Sequence, residues 1–159
     1  MWNWIKFIVV FLLTLTSVII VMVFYNANKP ASEAEKAAIQ SVIESGQLAT
    51  VQSAEQFNGT VPAITVFGLD KDGKEKAVFV NDNSEDGYEE VMLTDGITAD
   101  RAIKAVKQEL NVGKVLHARL GMEEENPVWE IAFQSDNGKL NYVYVLFENG
   151  QWLKRILNL

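Results

Sequence analysis

The chain contains no cysteine. That excludes disulfides, thiolate metal sites and cysteine nucleophiles together, and it leaves the compartment open, because a cysteine-free domain suits either side of a membrane. Histidine is nearly absent too, with His117 the only one. A hydrolytic triad needs a base held by a third group beside a nucleophile. His117 falls in the middle of a strand-like run and no serine sits in a nucleophile motif, so it reads as an outward strand residue. Glycine-rich phosphate loops, His-x-x-x-His pairs and dinucleotide fingerprints are also missing. No cofactor is implied.

Positive charge is scarce, with 14 Lys and Arg against 21 Asp and Glu. All of the acids and thirteen of the bases follow residue 25, which gives that part a net charge of −8. Such an excess favours solubility and argues against binding nucleic acid or an anionic lipid surface through bulk charge.

What stands before it is a run from Phe7 to Tyr25 without charge, whose polar members are Thr14, Thr16 and Ser17. Nineteen helical residues rise about 28 Å, against a hydrocarbon core of about 30 Å. Trp2 and Trp4 precede the run and Tyr25 closes it, placing amphipathic rings at both headgroup levels. A cleaved signal peptide needs a shorter apolar centre and a small-x-small site, and the best candidate cut, after Ala27, has bulky Tyr25 two residues upstream. The run is therefore expected to be an uncleaved anchor within residues 1–28. Lys6 on one side and Lys29 and Lys36 on the other leave its orientation undecided by charge.

About 130 residues follow, enough for one ordinary domain or two very small ones sharing an interface. Pro30 is expected to end the first helix, and Ser32 with Glu35 forms a capping box that opens a second. Its stripe of Ala34, Ala38, Ile39, Val42 and Ile43 runs to about Ser45, where Gly46 supplies a stop. Because that helix begins so soon after Tyr25, the first unit is expected close to the bilayer. Strands are expected over 48–57, 62–69 and 76–81, the last two joined by a turn at 70–74. Asp70-Lys71-Asp72-Gly73 also matches the opening of a calcium loop, but its twelfth position would be Asn81, so a turn is the better reading.

From Asp82 to Asp95 the chain turns polar and acidic, with Asp82, Glu85, Asp86, Glu89 and Glu90 around Gly87, which suits a boundary between units 29–95 and 96–159. These acids lack the spacing of a dedicated cation cage. The order then repeats. Thr98 is placed as an N-cap before the stripe Ala99, Ala102, Ile103, Val106 and Leu110. Strands are expected over 114–121, 127–135, 140–147 and 152–157, with Asn-Gly turns at 137–138 and 149–150 that demand antiparallel neighbours. Glu123, Glu124 and Glu125 read as a solvated tip rather than as paired catalytic carboxylates. Asn58-Gly59-Thr60 fits a glycosylation acceptor, which matters only in a glycosylating host.

Each half is thus one amphipathic helix followed by an antiparallel meander, an α+β arrangement in which the helix covers one sheet face. The other face must be polar, packed on the sister unit or used for recognition. In the second meander Leu116, Ala118 and Leu120 alternate with Val115, His117 and Arg119, and Trp129, Ile131 and Phe133 alternate with Glu130 and Ala132. Ile103 and Trp129 are expected in the core. Tyr142 and Tyr144 point away from the helix-facing Val143, Val145 and Phe147. Either they pack on the first unit, or with His117, Arg119 and Glu130 they form a recognition patch.

The order of parts, and the stretches Gly68-Leu69-Asp70-Lys71-Asp72-Gly73, Asp95-Gly96-Ile97-Thr98, Leu116-His117-Ala118-Arg119 and Val128-Trp129-Glu130, resemble the TseB-like (YpmB-type) family of Gram-positive bacteria. The resemblance covers nearly the full length, with the second unit similar to a PepSY domain. It implies two tandem cystatin-like units displayed outside the cytoplasmic membrane, no catalytic residues, and a role in cell-wall elongation through contact with a penicillin-binding protein. The readings that compete with it are a PepSY-type inhibitor of a secreted protease and, more distantly, a membrane-tethered hydrolase. Neither the partner's identity nor the oligomeric state is legible in the residues.

Overall fold

The computed structural model describes residues 2–81 and 88–159, with only the helical backbone described for residues 2, 3 and 24–31. Helix α1 (Trp2–Glu44) is followed by strands β1 (Thr50–Asn58), β2 (Pro62–Leu69), β3 (Glu75–Val80) and β4 (Glu89–Met92). A 3₁₀ turn (Leu93–Asp95) leads to α2 (Ala99–Glu109), and then come β5 (Lys114–Glu123), β6 (Asn126–Gln134), β7 (Leu140–Leu146) and β8 (Trp152–Ile156). The strands form two antiparallel meanders in sequence order, β1-β2-β3-β4 and β5-β6-β7-β8. The α+β expectation holds.

The expected break at Pro30 does not occur: α1 is continuous over 43 residues, about 64 Å of helix. Proline removes its own N–H from the ladder and crowds the carbonyl four residues before it, a cost of about 3 kcal/mol or more, yet good helix formers from Glu33 to Ala38 carry the helix onward. A window of 20 residues, Trp4–Val23, has a mean hydropathy of 2.6 and no buried part, so by length and composition it can cross a membrane. Among the described residues the first of α1 buried in a core, Ala38, lies fifteen residues beyond Val23, about 22 Å along the axis. At its far end α1 stops as Gly46 permits. Gly46 takes φ +73°, its N–H bonds to Ile43 O, and Gln47 N–H bonds to Val42 O, which satisfies the last carbonyls.

Ala38 and Val42 of α1 pack on Leu48, Val66 and Val78, one face of the first sheet. The opposite face carries Ala77 and Phe79, and these belong to the larger core shared with α2 and the second sheet. That core contains Trp129, Ile131, Phe133, Val143 and Val145, with Ile103 half-buried against it. Trp129 also donates its indole N–H to Ile97 O at 2.8 Å. Thr98 caps α2 by accepting from Arg101 N–H at 3.3 Å. Both faces of the first sheet are thus covered, and the two halves share one interior.

Two local expectations change, and a third holds. The acidic stretch read as a boundary contains a fourth strand, β4, too short and too charged for periodicity to reveal; Asp82, Glu85, Asp86 and Gly87 lie outside the described residues. A bulge between Val115 and His117 shifts the phase of β5, so Val115 packs on the core while Leu116 is 46% exposed. The 70–74 turn is a turn: Asp70 Oδ1 accepts from Asp72 N–H and Lys74 N–H at 2.8 and 2.9 Å, and Gly73 takes φ +76°. Those bonds, from Lys74 first, hold the Asp70 carboxyl below its ordinary pKa.

Candidate functional site

The register of the second sheet decides which side chains meet on its face away from α2. Arg119 pairs with Glu130, Glu130 with Tyr144, and Tyr144 with Lys154, making one row across four strands. His117, Ala132, Tyr142 and Ile156 form the next row. All four residues marked by the sequence pattern, His117, Arg119, Tyr142 and Tyr144, therefore share this face, but they differ in exposure. Tyr144 is buried, while His117, Arg119 and Tyr142 are half-buried.

Glu130 lies at the centre, only 4% exposed. Its Oε2 accepts from the Tyr144 hydroxyl at 2.7 Å, and its Oε1 lies 3.0 Å from His117 Nε2. Burial, then the neighbouring Glu130 carboxylate, pushes the Tyr144 hydroxyl well above the ordinary tyrosine pKa. Tyr144 thus stays a neutral donor. The Tyr142 ring lies 6.4 Å from the His117 ring and closes this part of the face.

The first sheet plugs the same face beside it. Phe57, at the end of β1, is fully buried and meets the Tyr144 ring edge-on at 6.5 Å. Its ring rests on Gly121, where an added Cβ would lie 2.1 Å from Phe57 Cγ. A mid-strand glycine often marks such a close approach. The tip after β1 follows the ring in: Thr60 donates its N–H to Glu123 Oε2 at 2.8 Å and its hydroxyl to Glu123 Oε1 at 2.6 Å. Lys154 Nζ completes the cluster 2.5 Å from Glu123 Oε1, with its ammonium 5.5 Å from the Tyr144 ring centroid.

Glu123 is therefore no part of a solvated tip. Its side chain is wholly buried, whereas Glu124 and Glu125 form the exposed turn with φ of 50° and 62°. Burial alone would raise the Glu123 pKa, but the bonds from Lys154 and Thr60 outweigh it and hold the carboxyl below its ordinary value. The same bond to Glu123 raises the Lys154 ammonium. One signal was available in the sequence, since Glu123 has the strand parity of His117, Arg119 and Gly121. Nothing local in the sequence points to Thr60 or Lys154 as its partners, which lie 63 and 31 residues away.

This arrangement is a lock with an accessible flank. Thr65 adds to the lock by donating its hydroxyl to Leu120 O at 2.7 Å between the sheets. Among the described residues no group of three or more His, Asp or Glu could hold a metal ion, and both carboxylates at the centre are committed to structural partners. Beyond the lock, His117, Arg119 and Tyr142 are half-buried on the same face.

A family model described as the cell wall elongation regulator TseB-like domain matches residues 37–81, from the end of α1 through β3. The chain is 28% identical over 152 residues to the probable cell wall elongation regulator TseB of Bacillus subtilis (strain 168), covering 94% of each. The solved structure of the YpmB protein from Bacillus subtilis superposes with a TM-score of 0.71 at 30% identity, covering 79% of this chain and 98% of that one. With an α+β fold and full-length relatives of this kind, the chain belongs to the TseB-like (YpmB-type) family.

Proposed function

We propose that the protein is a single-pass membrane protein, anchored through α1 with its folded part outside the cell, which regulates cell-wall elongation by binding a penicillin-binding protein and catalyses no reaction. The observation that carries this reading is the alignment, over 94% of the chain, with a protein named as a probable cell wall elongation regulator. The fully exposed apolar window Trp4–Val23 supports the anchor. In this reading residues 1–28 are tail and anchor, 29–95 the first unit and 96–159 a PepSY-like second unit.

The proposed contact surface is the flank of the inter-sheet lock. His117, Arg119 and Tyr142 reach the partner, and Tyr144 supports them from below through Glu130. Confinement of both proteins to one membrane makes a weak contact sufficient by raising effective concentration. The test is in-cell crosslinking from a photoreactive residue placed at position 142 of the anchored protein. Recovery of a penicillin-binding protein, lost in Arg119→Ala, supports the assignment. Recovery of an extracellular protease with no wall synthase would replace it with the protease-modulator reading, and unchanged capture in Arg119→Ala would move the contact off this face.

A further inference from the structure

On the edge of the first sheet opposite β1, a cleft of about 480 Å³ opens between β4 and the ends of β6 and β7. Three consecutive residues of β4, Glu90, Val91 and Met92, line it. Side chains of a strand alternate between faces, and they do so here: Val91 packs into the shared core, while Glu90 reaches Lys76 Nζ at 2.7 Å. A wall formed by all three in succession is therefore the strand's edge and not one of its faces. Among the described residues β4 pairs with β3 alone, so its second edge presents backbone donors and acceptors toward this cleft. Phe147 and Glu148 stand on the opposite side.

The charge around the cleft has one sign. Among the described residues Glu90, Asp95 and Glu148 line it, and no Lys or Arg does. Glu90 is paired with Lys76, but Asp95 and Glu148 have no cationic partner among the described residues. A second copy of the chain fits poorly, because it would bring two copies of the same acid-lined cleft, each with Glu90, Asp95 and Glu148, against one another.

We infer that this cleft takes an extended, Lys- or Arg-bearing segment of a partner protein, which joins the first sheet as a fifth strand beside β4. Main-chain bonds to the open edge give the affinity of strand addition, and side chains at alternate positions are read by the apolar wall and the carboxylates. The cleft lies apart from the His117, Arg119 and Tyr142 flank, and the inference holds whether or not the partner is a wall synthase.

The test uses the full chain in phosphatidylcholine nanodiscs and a fluorescent octapeptide of alternating Lys and Val, with a benzophenone residue at its centre. Saturable binding that weakens with salt is expected, with crosslinks at residues 90–92 or 146–148. Glu148→Lys should weaken binding at least about tenfold, because like charges placed together in an interface are strongly disfavoured. Glu55→Lys, the same charge change at an exposed position on the opposite edge strand, should change it less than about twofold. Equal weakening by both variants would show attraction by bulk charge and overturn the inference. So would crosslinks confined to the face of His117 and Tyr142, equal binding of a Glu-Val octapeptide, or no binding at all.

Discussion

Replacing Phe57 with alanine empties the contact through which the first sheet plugs the second. The ring is fully buried, rests on Gly121 and touches Tyr144. Loss of its transfer free energy together with the cavity left behind should cost about 3–5 kcal/mol, a large share of the roughly 5–15 kcal/mol that holds a domain folded. Gly121→Ala attacks the same contact from the other side. The three nearest atoms to its new Cβ all belong to the Phe57 ring, at 2.1 to 2.5 Å, and overpacking of that kind costs about 1–3 kcal/mol. In the double variant the methyl enters space that the ring has left. The two losses should then fall short of their sum by at least about 1 kcal/mol, since contacting residues couple. Urea unfolding of the full chain in non-ionic detergent, followed by near-ultraviolet circular dichroism, measures all four corners of the cycle. Additivity within about 0.5 kcal/mol would refute the packing of Phe57 on Gly121.

Two further outcomes follow from the cores and the buried ion pair. Trp129→Ala should destabilise by about 3–5 kcal/mol, whereas Trp129→Phe, which keeps the bulk and loses the bond to Ile97 O, should cost about 1–2 kcal/mol; equal melting temperatures for the two variants would place Trp129 outside the core. The Glu123 carboxyl is held below its ordinary pKa, so its stabilisation is complete above the ordinary carboxylate range and is lost as pH falls through the lowered folded-state value. Lys154 is raised, so its contribution is complete below the ordinary lysine value and is lost only as pH rises past that value. Glu123→Gln should therefore lower the melting temperature at neutral pH and flatten its decline between about pH 5 and pH 2, and an unchanged acid slope would mean that Glu123 is not the group that titrates.

The apolar window, the α2 stripe, the glycine turns and seven of the eight strands were legible because each is a local pattern, set by residues within a few positions of one another. β4 was not, since four residues with two glutamates carry no period, and its strand character comes from the edge that β3 offers it. Pro30 shows the limit of a local rule: a lost hydrogen bond and a crowded carbonyl together cost about 3 kcal/mol or more, and the helical turns on either side outweigh it. The β5 bulge reversed the exposure of Leu116 for a similar reason, because one extra residue changes strand parity without altering composition.

The candidate site divides along the same line. Alternation alone placed His117, Arg119, Tyr142 and Tyr144 on one face, because the pleat fixes parity within a strand and the turns fix register between strands. Which of them stayed accessible was a tertiary matter, decided by where Phe57 and Thr60 from the first sheet come to rest. Glu123 makes the point most sharply. By sequence it is one of three adjacent acids, yet only the packing of two distant hairpins buries it with Lys154 and Thr60 while Glu124 and Glu125 remain in water. Local pattern determined the elements and the faces of this protein; the choice of which face closes and which stays open depended on contacts between its halves, whose separation of up to 63 residues no local period can encode.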